Sequence, residues 1–97
     1  MPPLRFRYVI AYDIPDDKRR TRIAKVLEGH GARMQYSVFE CRLTGAQFAA
    51  LWDELPALAD AEADSLRAYR LCAACADWVK TYGQADDAPT VPTVYVA

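Results

Sequence analysis

The chain has 97 residues, a formal net charge of −1 and a hydrophobic content of 53%. That length predicts a single domain over residues 1–97, with a core modest enough that oligomerisation is a common way to bury more. No apolar run reaches the roughly 18 residues of a membrane span, the N-terminus lacks a signal peptide's apolar stretch, and three cysteines do not make a disulfide framework, so the expectation is a cytoplasmic protein away from the membrane.

Residues 5–13 read as a strand. Phe6, Tyr8, Ile10 and Tyr12 share one face, and Val9, Ala11 and Asp13 lie on the other. Both faces are largely apolar, which predicts a central strand covered on both sides. Pro15 suits a first helical turn and Asp16 or Asp17 a helix start, so a helix is predicted from Asp16 to Gly29. Its buried stripe is Ile23 and Leu27, edged by Ala24 and Val26, and Gly29 and Gly31 supply the stop.

Arg33 to Leu43 reads as one second strand, with an irregularity near Gln35-Tyr36-Ser37. Thr44 and Gln47 form a capping box. Phe48, Leu51, Trp52 and Leu55 then follow the i, i+3, i+4, i+7 spacing of an amphipathic helix that Pro56 is expected to end. Residues 57–64 are alanine-rich and acidic, a helical tail or linker. Ser65 to Cys72 reads as a third strand, Asp77 to Tyr82 as a short fourth, and Thr93 to Val96 as a terminal strand suited to pairing with a partner's sheet edge. The order resembles β-α-β-β-α-β and implies an α+β fold with helices on one face of an antiparallel sheet. The second face then carries apolar residues without a cover, and a homodimer is the economical solution.

The charge is polarised along the chain. Residues 1–50 carry nine Lys and Arg against five Asp and Glu, and residues 51–97 carry three against eight. One surface can meet a polyanion while another repels it.

Asp13 carries most of the chemistry. A carboxylate at a strand end, facing a helix that opens with arginines, can hold a hard cation beside a phosphate. It can equally serve as a cap or turn residue. One aspartate per chain is too few for a strong Mg²⁺ or Mn²⁺ site, and a two-fold axis near Asp13 would supply the second. Asp16 and Asp17 suit a helix start. Arg19, Arg20 and Arg22 sit unfavourably against the helix dipole, either as a solvated face or as phosphate contacts that Arg33 and Arg42 would extend. Tyr12, Tyr36 and Phe39 can stack on bases or pack in the core. Cys72-x-x-Cys75 has the spacing of a metal or redox pair, but a structural zinc needs four ligands and no second pair follows, unless Cys41 and His30 contribute. There is no Ser-His-Asp or Cys-His arrangement and no glycine-rich phosphate loop.

Three blocks make the chain recognisable: Tyr12-Asp13-Ile14-Pro15-Asp16-Asp17-Lys18-Arg19-Arg20, Ala24-Lys25-Val26-Leu27-Glu28-Gly29-His30-Gly31, and Arg33-Met34-Gln35-Tyr36-Ser37-Val38-Phe39-Glu40-Cys41. Together they closely resemble the small CRISPR-associated endonuclease family, the second core protein of spacer acquisition, over residues 5–75. The resemblance implies a ferredoxin-like βαββαβ sandwich with an extra C-terminal strand, a homodimer, and a metal site between the two chains. It maps the metal-binding aspartate onto Asp13, with Mg²⁺ expected and Mn²⁺ as a substitute. It maps other residues tied to nuclease activity onto Tyr12, Arg20, Arg22, Arg33 and Phe39. The implied activity is metal-dependent hydrolysis of phosphodiester bonds in single-stranded RNA or double-stranded DNA. The implied alternative is a non-catalytic dimeric scaffold that bridges subunits of the CRISPR integrase and binds protospacer DNA.

Overall fold

The structure is a computed structural model and describes residues 4–76 and 78–83. Its elements are β1 (Arg5–Asp13), α1 (Asp17–Glu28), β2 (Gly31–Gln35), β3 (Val38–Thr44), α2 (Gly45–Leu58), β4 (Ser65–Leu71) and the short α3 (Ala73–Ala76). The strands make one antiparallel sheet in the order β2-β3-β1-β4. β1 is central, as its two apolar faces predict, and pairs with β3 on one side and β4 on the other.

Alternation along β1 divides the molecule into two layers. Tyr8, Ile10 and Tyr12 join Phe39, Cys41 and Leu43 of β3 on the face that α1 and α2 cover. Ile23, Ala24 and Leu27 of α1 and Leu51 and Leu55 of α2 close this core. Tyr8 stacks on Phe48 with ring centroids 4.1 Å apart, and Phe48 stacks in turn on Trp52. Each fully buried aliphatic or aromatic side chain here stabilises the fold by about 1.5–3 kcal/mol before entropy is counted.

Among the described residues neither long helix, α1 or α2, lies on the opposite face. Arg7, Val9, Ala11 and Asp13 lie there beside Arg42, Glu40 and Val38 of β3. Arg7 and Glu40 form an ion pair at 2.8 Å, with both side chains only 6% exposed. Residues 79–82 cross part of this face. Val79 and Tyr82 wall a cavity of about 360 Å³ whose floor includes Val9, Val38 and Leu71. No helix among the described residues is long and apolar enough to cross a membrane.

Several local expectations need correction. Pro15 precedes α1 instead of opening it. The Asp16 carboxylate takes the otherwise unpartnered Arg19 N–H at 2.9 Å, and that cap sets the first helical residue at Asp17. The predicted second strand is two strands, β2 and β3, folded back at Tyr36-Ser37. A register shift between Arg33 and Gln35 keeps the alternation running through the turn, so the sequence pattern looks unbroken. Pro56 lies inside α2, which continues to Leu58. A proline in the last turn removes only one backbone donor, and the Pro56 carbonyl still accepts from Ala59 N–H at 3.2 Å. The Thr44–Gln47 capping box is present. Of residues 57–64, the first two belong to α2, and the rest form a turn in which Asp60 and Asp64 side chains accept from backbone N–H groups. The strand predicted at Ser65–Cys72 ends at Leu71 and is fourth in chain order. Residues 78–82 hold an isolated bridge at Lys80 where a strand was expected, with too little pairing to form a ladder. The terminal strand at Thr93–Val96 lies outside the described residues.

Gly31 fixes how closely β2 approaches β3. A Cβ there would fall against the Glu40 carbonyl oxygen, 2.7 Å from Cys41 Sγ and 2.9 Å from Cys41 Cα. Most of that contact is with backbone in a paired strand, which has little freedom to yield. Gly31→Ala is therefore expected to cost about 1–3 kcal/mol, read as a lower urea midpoint with an unchanged slope. An unshifted midpoint would show that the hairpin absorbs the methyl group.

Candidate metal and nucleic-acid site

Asp13 is the last residue of β1 and is exposed, paired across the backbone with Ser65 of β4. It is not the cap of α1, since Asp16 fills that role. Among the described residues its carboxylate has no ion-pair partner, and no group of three or more His, Cys, Asp or Glu residues is placed to hold a metal ion. Asp13 is thus a free hard-oxygen donor on the sheet face opposite α1 and α2. One chain alone supplies too few such donors to enclose a divalent cation.

Tyr12, one residue earlier, points to the other face and is buried. Its hydroxyl donates to the Tyr36 carbonyl at 3.4 Å. Burial pushes its pKa up, against the opposing pull of Arg33. Tyr12 is therefore set to donate a hydrogen bond and poorly suited to ionise. Around it lies a pocket of about 240 Å³ lined by Arg20, Lys25, Glu28, Arg33 and Tyr36 among others. Arg33 donates to the Tyr36 carbonyl at 3.3 Å, reaches Glu28 at 3.5 Å, and lies over the Phe39 ring at 5.2 Å. Arg20 donates to the Ile14 carbonyl at 2.8 Å and pairs with Asp17. Tyr36 is 71% exposed, with the Arg20 guanidinium 6.0 Å from its ring centre.

The structure therefore gathers Tyr12, Arg20 and Arg33 and separates them from Asp13 by the thickness of the sheet. Phe39 is fully buried beneath this group, with its ring 6.3 Å from that of Tyr12. It can position Tyr12 and Arg33 but cannot stack on a base. Arg22 is exposed and does not line the pocket. It falls with Lys18 and Lys25 at i, i+4 and i+7 along α1, forming a cationic ridge. Lys25 belongs to both ridge and pocket. Sequence reasoning passed over Thr21, Lys25 and Glu28 in this pocket, although their i, i+4, i+7 spacing on α1 was available as a signal.

Arg19, considered as a phosphate contact, is engaged elsewhere. Its guanidinium grips Asp64 in two hydrogen bonds, at 2.7 and 3.1 Å. That fork ties the start of α1 to the residue before Ser65, the strand partner of Asp13. It is a brace for the site and leaves little of Arg19 for a ligand.

A family model described as CRISPR associated protein Cas2 matches residues 6–79. The chain belongs to the Cas2 family. The CRISPR-associated endoribonuclease Cas2 3 of Synechocystis is 49% identical over 79 residues, covering 81% of this chain and 86% of the relative. The crystal structure of a hypothetical protein, TT1823 from Thermus thermophilus, superimposes with a TM-score of 0.77 at 36% identity, covering 84% of this chain and 95% of that one. A chain of a partial Cas6-RT-Cas1–Cas2 complex aligns with a TM-score of 0.59 at 27% identity, covering 73% and 83%. The Cas2 assignment rests on nearly the same stretch that holds β1 through β4, so Asp13, Tyr12 and the pocket all lie within it.

The Arg19–Asp64 brace has a pH signature. The Arg19 hydrogen bonds hold the Asp64 carboxyl below its usual range. A depressed carboxylate contributes stability above the ordinary value, about 4, and that contribution disappears as pH falls through the lower native value. Wild-type protein is expected to lose urea midpoint on acidification, while Asp64→Asn begins less stable at neutral pH and declines less steeply. Parallel midpoint-versus-pH curves for the two proteins would mean that the brace contributes nothing.

Proposed function

We propose that this chain is a subunit of CRISPR spacer acquisition and works as a homodimeric, metal-dependent nuclease. The observation that carries this reading is Asp13: an exposed carboxylate at the end of the central strand, with no ion-pair partner among the described residues, on the sheet face opposite α1 and α2. In a two-fold dimer packed through that face, twin Asp13 side chains would supply two carboxylates, and water the remaining positions, as suits Mg²⁺ or Mn²⁺. Such an ion would polarise a phosphoryl oxygen and lower the pKa of a bound water. The protein's own residues hold the substrate. Arg22, Lys18 and Lys25 offer cations to a phosphate backbone, Arg33 and Arg20 offer guanidinium forks at the pocket, and exposed Tyr36 offers a stacking surface. In this reading the sheet and its two long helices are a ferredoxin-like sandwich with an added C-terminal strand. The substrate is single-stranded RNA or double-stranded DNA. The endoribonuclease name of the Synechocystis relative supports the RNA part of this choice. The protein acts in the cytoplasm.

A second reading is favoured by the thin donor set of a single chain and by the likeness to a subunit of the Cas1-containing complex. Here the dimer is a scaffold that binds protospacer DNA and holds the integrase, Cas1, at a fixed separation, and Asp13 is dispensable.

One variant separates the two. Asp13→Ala is expected to cut Mg²⁺-dependent cleavage of RNA or duplex DNA by about 100-fold or more, with dimer mass and melting temperature unchanged. If it cleaves at the wild-type rate, the metal mechanism fails. If wild type cleaves neither substrate and the variant still supports spacer integration, the scaffold reading stands. A monomer at working concentration would defeat both.

A further inference from the structure

Cys72 and Cys75 stand apart from the site built on β1 and α1. Cys72 directly follows the last residue of β4, and Cys75 lies three positions on, within α3. Both are exposed and unlinked. The Cys75 backbone N–H donates to Cys72 Sγ at 3.3 Å, which folds the second cysteine back toward the first. The third cysteine has a different character. Cys41 is fully buried in the core, and burial pushes its thiol up to about 11, so it stays protonated and shielded at neutral pH.

We propose that Cys72 and Cys75 are a reversible dithiol–disulfide pair that exchanges with low-molecular-weight disulfides such as oxidised glutathione, Cys72 attacking and Cys75 resolving. The roles follow from the asymmetry of the contacts. Cys72 sulfur accepts the Cys75 backbone N–H; with the neighbouring Cys75 thiol and that N–H its pKa is drawn down, while the nearby Cys72 sulfur pushes Cys75 up. The thiolate is the nucleophile, so the sulfur that holds charge more easily attacks first.

In the first step the Cys72 thiolate bonds to one sulfur of the small disulfide. The small disulfide's S–S bond breaks, and the departing thiolate takes up the proton that Cys72 released. In the second step Cys75, giving up its proton, attacks the Cys72 sulfur. The mixed disulfide breaks, and a second small thiol leaves carrying that proton. The protein loses two electrons and two protons, and the small disulfide gains both. The ring that closes is short and local to one bend, so it links no distant elements and leaves the core unchanged in either state. That locality favours reversibility over structural stapling. Chelation is the competing use of such a pair, but among the described residues no third ligand joins the two thiols.

The test uses the full chain equilibrated in glutathione buffers from fully reduced to fully oxidised, quenched with an alkylating agent and weighed intact. As the buffer becomes oxidising, two alkylation sites should vanish together with the loss of two hydrogens' mass, while Cys41 stays alkylatable after denaturation. Cys75→Ser should trap glutathione on Cys72, and Cys72→Ser should accumulate its adduct about tenfold more slowly. Far-ultraviolet circular dichroism checks that both variants fold. Two free thiols at every buffer ratio, equal adduct rates in the two variants, or cross-linked dimers in place of the internal bond would each overturn the proposal. So would zinc at one ion per two chains that shields both thiols with no exchange in its absence.

Discussion

A β-strand sends successive side chains to opposite faces, and in this protein that constraint falls on two adjacent residues with opposite needs. Tyr12 must be buried, and its ring packs on the core side near Phe39. Asp13 must then emerge on the other side, where burial would be costly for a lone carboxylate. The β3 ladder ends at Ala11, but Tyr12 and Asp13 remain paired with Leu66 and Ser65 of β4 and Tyr12 N–H donates to the Ser37 carbonyl, so exchanging their faces would require slipping the β1 register. The separation of the acidic donor from the cationic pocket is therefore a consequence of the sheet itself. Anything that uses both must either wrap the strand end or approach each face from a different body.

The same economy explains the arginines at the start of α1. Three consecutive cations, Lys18, Arg19 and Arg20, oppose the positive end of the helix dipole. The fold offsets them with carboxylates: Asp16 at the cap, Asp17 beside Arg20, and Asp64 beneath Arg19. Two of the three are thereby held in fixed geometry. Arg7 is likewise committed to Glu40 inside the sheet's second face. The basic excess of the first half of the chain is thus partly internal structure. Lys18, Arg22 and Lys25 remain as an outward ridge, and a polyanion would meet this smaller set beside the pocket arginines.

Much of this was legible from residue spacing. The period-2 run of β1, the 3.6-period stripe of α1, the Thr44–Gln47 box and the apolar stripe of α2 are local patterns, and local patterns survive folding. Errors arose where a nonlocal contact decided the outcome. The hairpin at Tyr36-Ser37 lacks the usual Asn-Gly or Asp-Gly signal, and only the close approach at Gly31 reveals two strands. Pro56 reads as a stop because propensity is local, whereas the helix end depends on whether the next donors find partners. The site was legible as a list of residues and illegible as a geometry. Tyr12, Arg20 and Arg33 converge because strand and helix bring them together, while Arg22, two residues or about 200° of helix on from Arg20, faces away. No spacing rule could distinguish Arg19, locked by a residue 45 positions away, from Arg20 beside it.

The second sheet face is the remaining structural tension. It buries an Arg–Glu pair, which is costly to take out of water unless its geometry holds and further hydrogen bonds satisfy the remaining donors and acceptors, and it leaves Val9 and Val38 only half-buried. Within the described chain, residues 79–82 shield part of it and leave a cavity beside Val9 and Val38. Asp13 opens onto this same face. Cover brought over the face to complete the burial would also determine what surrounds Asp13. The packing requirement and the chemical requirement therefore point to the same surface, and a partner that satisfied one would be in position to affect the other.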